Sequence, residues 1–131
     1  MHRINIKFVS YAALIVSLLT GCSDGDGLGE IEYNKDIQAA IFDVSCLVGC
    51  HDGSKVAGLE LTSHALLIEG GDHGTVVVAG NAEASPLVWS LEGVGIDGST
   101  VAIMPPTIFP QLSRTEVRIV KDWIDQGAQN N

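Results

Sequence analysis

The chain has 131 residues and a formal net charge of −9, from sixteen acidic and seven basic side chains. Two of the basic residues, Arg3 and Lys7, lie at the start. Beyond residue 21, five face all sixteen acids, a net charge of −11. So acidic a surface, with no basic stripe, argues against a partner read through phosphates and against electrostatic docking on anionic lipid. It suits a basic partner protein, or solubility alone. The length allows one small domain. Hydrophobic residues make up 46% of the chain but aromatics only 5%, so a bound prosthetic group would help stabilise the core.

Residues 1–21 divide into a positive start and an apolar run from Phe8 to Leu19. The run has the length of a signal segment and is short for a bilayer span. It ends in Leu19-Thr20-Gly21-Cys22, and a small residue before a cysteine at that point resembles the bacterial lipoprotein signal. The resemblance implies export, cleavage before Cys22 and acylation of that cysteine. The product would be anchored by lipid in the cell envelope, facing the periplasm or the cell exterior. Residues 22–32 carry charges and glycines with little to bury, and read as a flexible tether.

The first folded element is a helix capped by Asn34, with Ile37, Ala40, Ile41 and Val44 on one face at helical spacing. It delivers Cys46-Leu47-Val48-Gly49-Cys50-His51. Two thiols followed directly by an imidazole is the arrangement for attaching a c-type haem, with the histidine as proximal iron ligand. The usual C-x-x-C-H spacing is here one residue longer, and Gly49 is the residue suited to absorb the extra backbone. Three other chemistries use the same residues. A Cys46–Cys50 disulfide is compatible with export. A zinc site would need His64 or His73 as fourth ligand, and a redox thiol pair prefers the shorter spacer.

Leu61 to Glu69 reads as a short helix capped by Thr62 or Ser63, Thr75 to Ala79 as an extended stretch, and Ser85 to Leu91 as a helix with Pro86 in its first turn. His64 falls at an exposed helical position and His73 among glycines, each a rival iron ligand. Met104, the only methionine after the signal, lies in Ala102-Ile103-Met104-Pro105-Pro106. The prolines stiffen that loop, and a thioether is a soft axial ligand for haem iron. A methionine filling a core gap is the other reading. Ser113 and Glu116 form a capping box for a last helix, with Val117, Val120 and Ile124 as its buried stripe, Trp123 beside it and Gly127 at its end. Trp89 and Trp123 are placed near the porphyrin or in the core. No Ser-His-Asp set, phosphate-binding loop or paired acid–base carboxylates appear.

From Tyr33 to Ala128 the order of features resembles a class I-type mono-haem cytochrome c domain, in particular the small planctomycete-type modules. The shared features are Cys46…Cys50-His51, Gly58-Leu59-x-Leu61, Gly80-Asn81-x3-Ser85-x-Leu87, Met104-Pro105-Pro106 and Leu112-Ser113-x2-Glu116…Trp123-Ile124-x2-Gly127-Ala128. The cysteine spacer is the departure. The resemblance implies a mainly α fold with N- and C-terminal helices packed beside the haem and a loop-rich middle, over residues 33–128 with a tail at 129–131. It implies one covalent haem c on Cys46 and Cys50, iron ligation by His51 and Met104, and electron transfer with redox partner proteins rather than catalysis. A haem sensor or peroxidase-like enzyme with a displaceable sixth ligand is the alternative, as is a non-haem lipoprotein held by zinc or a disulfide.

Overall fold

The computed structural model describes residues 29–53 and 55–131. The signal segment, Cys22 and most of the expected tether lie outside these residues. Among the described residues the regular structure is helical, and the only β pairings are two isolated bridges, Gly71 with Gly74 and Val94 with Thr100. The mainly α expectation therefore holds.

The N-terminal helix, Tyr33–Phe42, is wound as a π-helix, and one α-turn, Asp43–Ser45, continues it. It starts one residue before Asn34, so Asn34 is not its cap. The Glu32 N–H at the cap is met instead by Asp36 Oδ2 at 3.0 Å, while Asn34 Nδ2 donates to the Asn131 carbonyl. Bonds to the fifth preceding carbonyl stretch the repeat beyond 3.6 residues. Tyr33, Ile37, Ile41 and Phe42 are therefore buried, whereas Ala40 and Val44 of the expected stripe face outward.

At the other end, Arg114–Asp125 has the predicted capping box: Ser113 Oγ accepts from Glu116 N, and Glu116 Oε2 accepts from Ser113 N. Val120, Trp123 and Ile124 are fully buried, which puts Trp123 at the centre of the buried stripe. Ala128 N bonds to Trp123 O and Gly127 N to Ile124 O, closing the helix in a Schellman motif.

The two terminal helices pack on each other. Between them Tyr33, His64 and Trp123 form an aromatic cluster, with ring centroids 4.9 Å apart for Tyr33–His64, 5.4 Å for Tyr33–Trp123 and 6.0 Å for His64–Trp123. The chain ends are tied into this region. Ile31, inside the stretch expected to be a tether, is buried, and its N–H donates to Gln126 Oε1 at 2.9 Å. Tyr33 N donates to Asn131 Oδ1, and Trp123 Nε1 to the Gln129 carbonyl.

The middle supplies two short α-helices. His64–Glu69 is capped by Ser63, whose oxygen accepts from Leu66 N, and Pro86–Glu92 begins with the predicted proline. Ser85, before that proline, is fully buried but does not cap the helix. Its hydroxyl donates to Asn81 O and accepts from Val78 N, fixing the turn after the extended stretch.

Candidate haem site

Two segments converge on one cavity of about 380 Å³. Val44 to Cys46, Val48, Cys50, His51 and Val56 line it from the first segment, and Met104 to Pro106 with Phe109 and Pro110 from the second. Among the described residues no charged side chain lines it. Its volume falls in the range of small-ligand and cofactor sites, and its lining is mostly hydrocarbon with a few polarisable or polar groups. The four sequence candidates Cys46, Cys50, His51 and Met104 all line it; His64, His73, Trp89 and Trp123 do not.

The long cysteine spacer is accommodated by a turn. Val48 (φ −60°, ψ 89°) and Gly49 (φ 73°, ψ 9°) take dihedrals close to those of a type II turn, which calls for glycine at the second position. The chain is brought back so that His51 N bonds to Cys46 O at 3.2 Å. The spacing departure thus has a local solution, and Gly49 supplies it as the sequence suggests.

His51 is held twice by the segment that follows. Its carbonyl accepts from Leu61 N at 2.8 Å, and its Nδ1 lies 3.0 Å from Leu59 O. A carbonyl can only accept, so Nδ1 carries a proton, and in the neutral ring Nε2 is the nitrogen with the lone pair. An imidazole fixed in this way is prepared to ligate a metal through Nε2. The strap is itself anchored, because Gln38 Nε2 donates to Leu61 O at 3.0 Å and Gln38 Oε1 accepts from the buried Tyr33 hydroxyl at 2.6 Å. The carbonyl of Leu59 has no sequence signature beyond its place in the Gly58-Leu59-x-Leu61 pattern.

No disulfide joins Cys46 to Cys50. Burial, with a smaller contribution from the neighbouring Cys50, pushes the Cys46 thiol up to about 11. At neutral pH it is a thiol rather than a thiolate, which disfavours a reactive redox pair. Among the described residues no three His, Cys, Asp or Glu side chains form a group able to hold a metal ion, so the zinc reading lacks its ligands. His64 is not exposed as expected. Its Nε2 bonds to the Ala128 carbonyl at 2.8 Å within the aromatic cluster. His73 is exposed.

In the second lining segment, Met104 N donates to Ser90 O at 2.8 Å, pinning the loop to the helix Pro86–Glu92. Downstream, Gln111 Nε2 lies 2.8 Å from Pro105 O, 3.1 Å from Phe109 O and 3.2 Å from Pro106 O. Gln111 and the apolar liners Val44, Val48, Val56 and Phe109 were not among the sequence candidates. The last four became recognisable only when the fold brought them together.

A larger cleft of about 470 Å³ lies between the helices Pro86–Glu92 and Arg114–Asp125. It is lined by charges of both signs and is distant in chemistry from the cysteines. Lys121 pairs with Glu92 at 3.0 Å and with Glu83 at 3.1 Å, and Arg118 pairs with Asp122 at 3.4 Å. These cations are matched by carboxylates already present.

The thiols, imidazole and thioether around an apolar cavity are a donor set that fits haem. Comparison with known families points the same way. Residues 46–107 match the model of the family described as Planctomycete cytochrome C, a span that includes Cys46, Cys50, His51 and Met104. The match supports a cytochrome c-type domain and, with it, a haem-binding protein. No curated protein and no solved structure gives a significant match to the chain.

Proposed function

From the match of residues 46–107 to a cytochrome c family model, we propose that this chain is a mono-haem c-type cytochrome that passes single electrons. One haem is bound covalently through Cys46 and Cys50, with His51 and Met104 as axial ligands. The observation that carries this reading is the meeting of all four residues on one uncharged cavity. The bound haem supplies the one-electron iron couple, and the protein supplies attachment, ligands and burial.

Each residue has a distinct part. Cys46 and Cys50 hold the group in place as thioethers. His51, with its proton fixed on Nδ1 by Leu59 O, would offer Nε2 as one ligand. Met104 would offer its thioether as a second ligand, which favours a higher potential than two nitrogen ligands give. The side chains of Val44, Val48, Val56 and Phe109 give the group an apolar surface to lie against. With His51 and Met104 both bound to it, the iron would have no place left for a substrate, and the protein would act as a carrier.

The domain is tethered in the cell envelope by lipid on Cys22, and its net charge of −11 beyond residue 21 suits basic surfaces on its electron donor or acceptor. The test uses protein made in cells that mature c-type cytochromes. A reduced-minus-oxidised spectrum with a pyridine haemochrome assay is expected to show a c-type signal that stays with the denatured chain. Colourless protein would overturn the reading. Met104→Ala is expected to lower the reduction potential by tenths of a volt, within the roughly 0.8 V that axial ligation spans, and to open the iron to carbon monoxide. An unchanged potential and spectrum would remove Met104 from the ligand set.

A further inference from the structure

We propose that Gln111 is the residue that positions Met104, by clamping the loop that carries it. The inference rests on the His51/Met104 reading only for its iron-based readouts.

The segment from Pro105 to Pro110 contains three prolines, Pro105, Pro106 and Pro110. None of them has an N–H to donate, so the segment is poor in the donors that would close it into a regular turn. One internal bond is present, from Phe109 N to Pro106 O at 2.8 Å. The other donor is the side-chain amide of Gln111, which sits among the carbonyls of Pro105, Pro106 and Phe109 at 2.8, 3.2 and 3.1 Å. Two amide hydrogens shared over three carbonyl oxygens draw both ends of the segment towards one point.

That point is next to the candidate ligand. Pro105 follows Met104 directly and is buried, and Pro105, Pro106 and Phe109 line the same cavity as Met104. Upstream, the loop is fixed by the bond from Met104 N to Ser90 O. Downstream, Gln111 is the clamp. Gln111 itself is exposed and outside the hydrophobic core, so replacing it removes the clamp without opening a cavity.

Gln111→Glu keeps the side chain's size but turns a donor into an acceptor facing three carbonyl oxygens. In the haem-loaded protein, amide hydrogen exchange over residues 104–111 is expected to rise roughly tenfold, the size of one lost hydrogen bond. Exchange in the helix Arg114–Asp125 should stay as it was. In the oxidised form the sulfur-to-iron charge-transfer band is expected to weaken, and imidazole to bind the iron roughly tenfold more tightly. Gln111→Lys, which restores a donor, should recover part of the protection. Local exchange unchanged in Gln111→Glu would overturn the proposal, as would a rise spread evenly over the chain. Should the unsubstituted protein lack the sulfur-to-iron band, the Met104 ligation fails, and the exchange data alone then decide the clamp.

Discussion

The two ends of this molecule are built on opposite plans. Around Trp123 the terminal helices close on each other, and Trp123, Tyr33, Ile37, Phe42 and Ile124 are all 1% exposed or less. Around the cavity the apolar residues lie on short helical turns and loops and face outward, with Val44 at 68% and Val48 at 77% exposed. The closed end is held by close packing among the chain's own side chains. The open end gathers two thiols, an imidazole, a thioether and hydrocarbon around a cavity. In a chain this short, with few aromatics, the packed core and the candidate site lie in different regions.

The contrast is broken most severely by emptying the closed end. Trp123→Ala removes the largest fully buried side chain, together with its contacts to Tyr33 and His64 and its bond to Gln129 O. A loss of about 3–5 kcal/mol is expected from such a truncation, measured by denaturant unfolding. A loss below about 1 kcal/mol would mean that the aromatic cluster is not what holds the terminal helices together. Trp123 does not line the cavity, so the absorption spectrum of whatever protein remains folded should be unaltered.

This division also explains what the sequence discloses. The capping box at Ser113 and Glu116, the proline at the start of Pro86–Glu92 and the thiol–thiol–imidazole run are local signals, written within a few residues, and they were readable directly. The buried face of the first helix was not, because hydrophobic periodicity assumes 3.6 residues per turn and Tyr33–Phe42 winds more widely. His64 appeared exposed because the residue that accounts for it, Ala128, lies 64 positions away. The cavity walls needed the fold as well. Val44, Val56 and Phe109 carry no pattern linking them, and Gln111 acts through carbonyls, which no side-chain motif can reveal.

A milder way to loosen the closed end is to charge it. The Tyr33 hydroxyl is pushed up to about 12, chiefly by burial and in lesser part by the Asp43 carboxylate. A folded-state value above the unfolded one contributes stability in full below the unfolded pKa of about 10, and loses it as pH rises towards 12. The unfolding free energy should therefore fall by on the order of 1 kcal/mol between pH 10 and 12, the full shift being reduced by solvent screening of the part-buried hydroxyl. In Tyr33→Phe that part of the decline should vanish, at a cost of about 1 kcal/mol at neutral pH for the lost bond to Gln38. Parallel pH profiles for the two proteins would show that Tyr33 does not sense burial in this way.

The finest test compares two glycines that flank the open end. Gly49 (φ 73°) turns the long cysteine spacer, and Gly58 (φ 71°) leads into the strap that holds His51. Both have backbone conformations that strain an L side chain, but their surroundings differ. A Cβ at Gly49 would meet nothing within 4 Å, whereas one at Gly58 would collide with the Asp72 carboxylate and lie 2.9 Å from the Asp72 backbone nitrogen. Gly49→Ala should cost about 1 kcal/mol, from the dihedral alone. Gly58→Ala should cost about 2–3 kcal/mol, because the Asp72 N–H is already tied to Ala57 O at 2.8 Å and cannot move away freely. Thermal unfolding of the two variants gives the ranking. Equal costs would mean that the strap yields to the added methyl, and that the Leu59 carbonyl holding His51 sits on a softer segment than its hydrogen bonds imply.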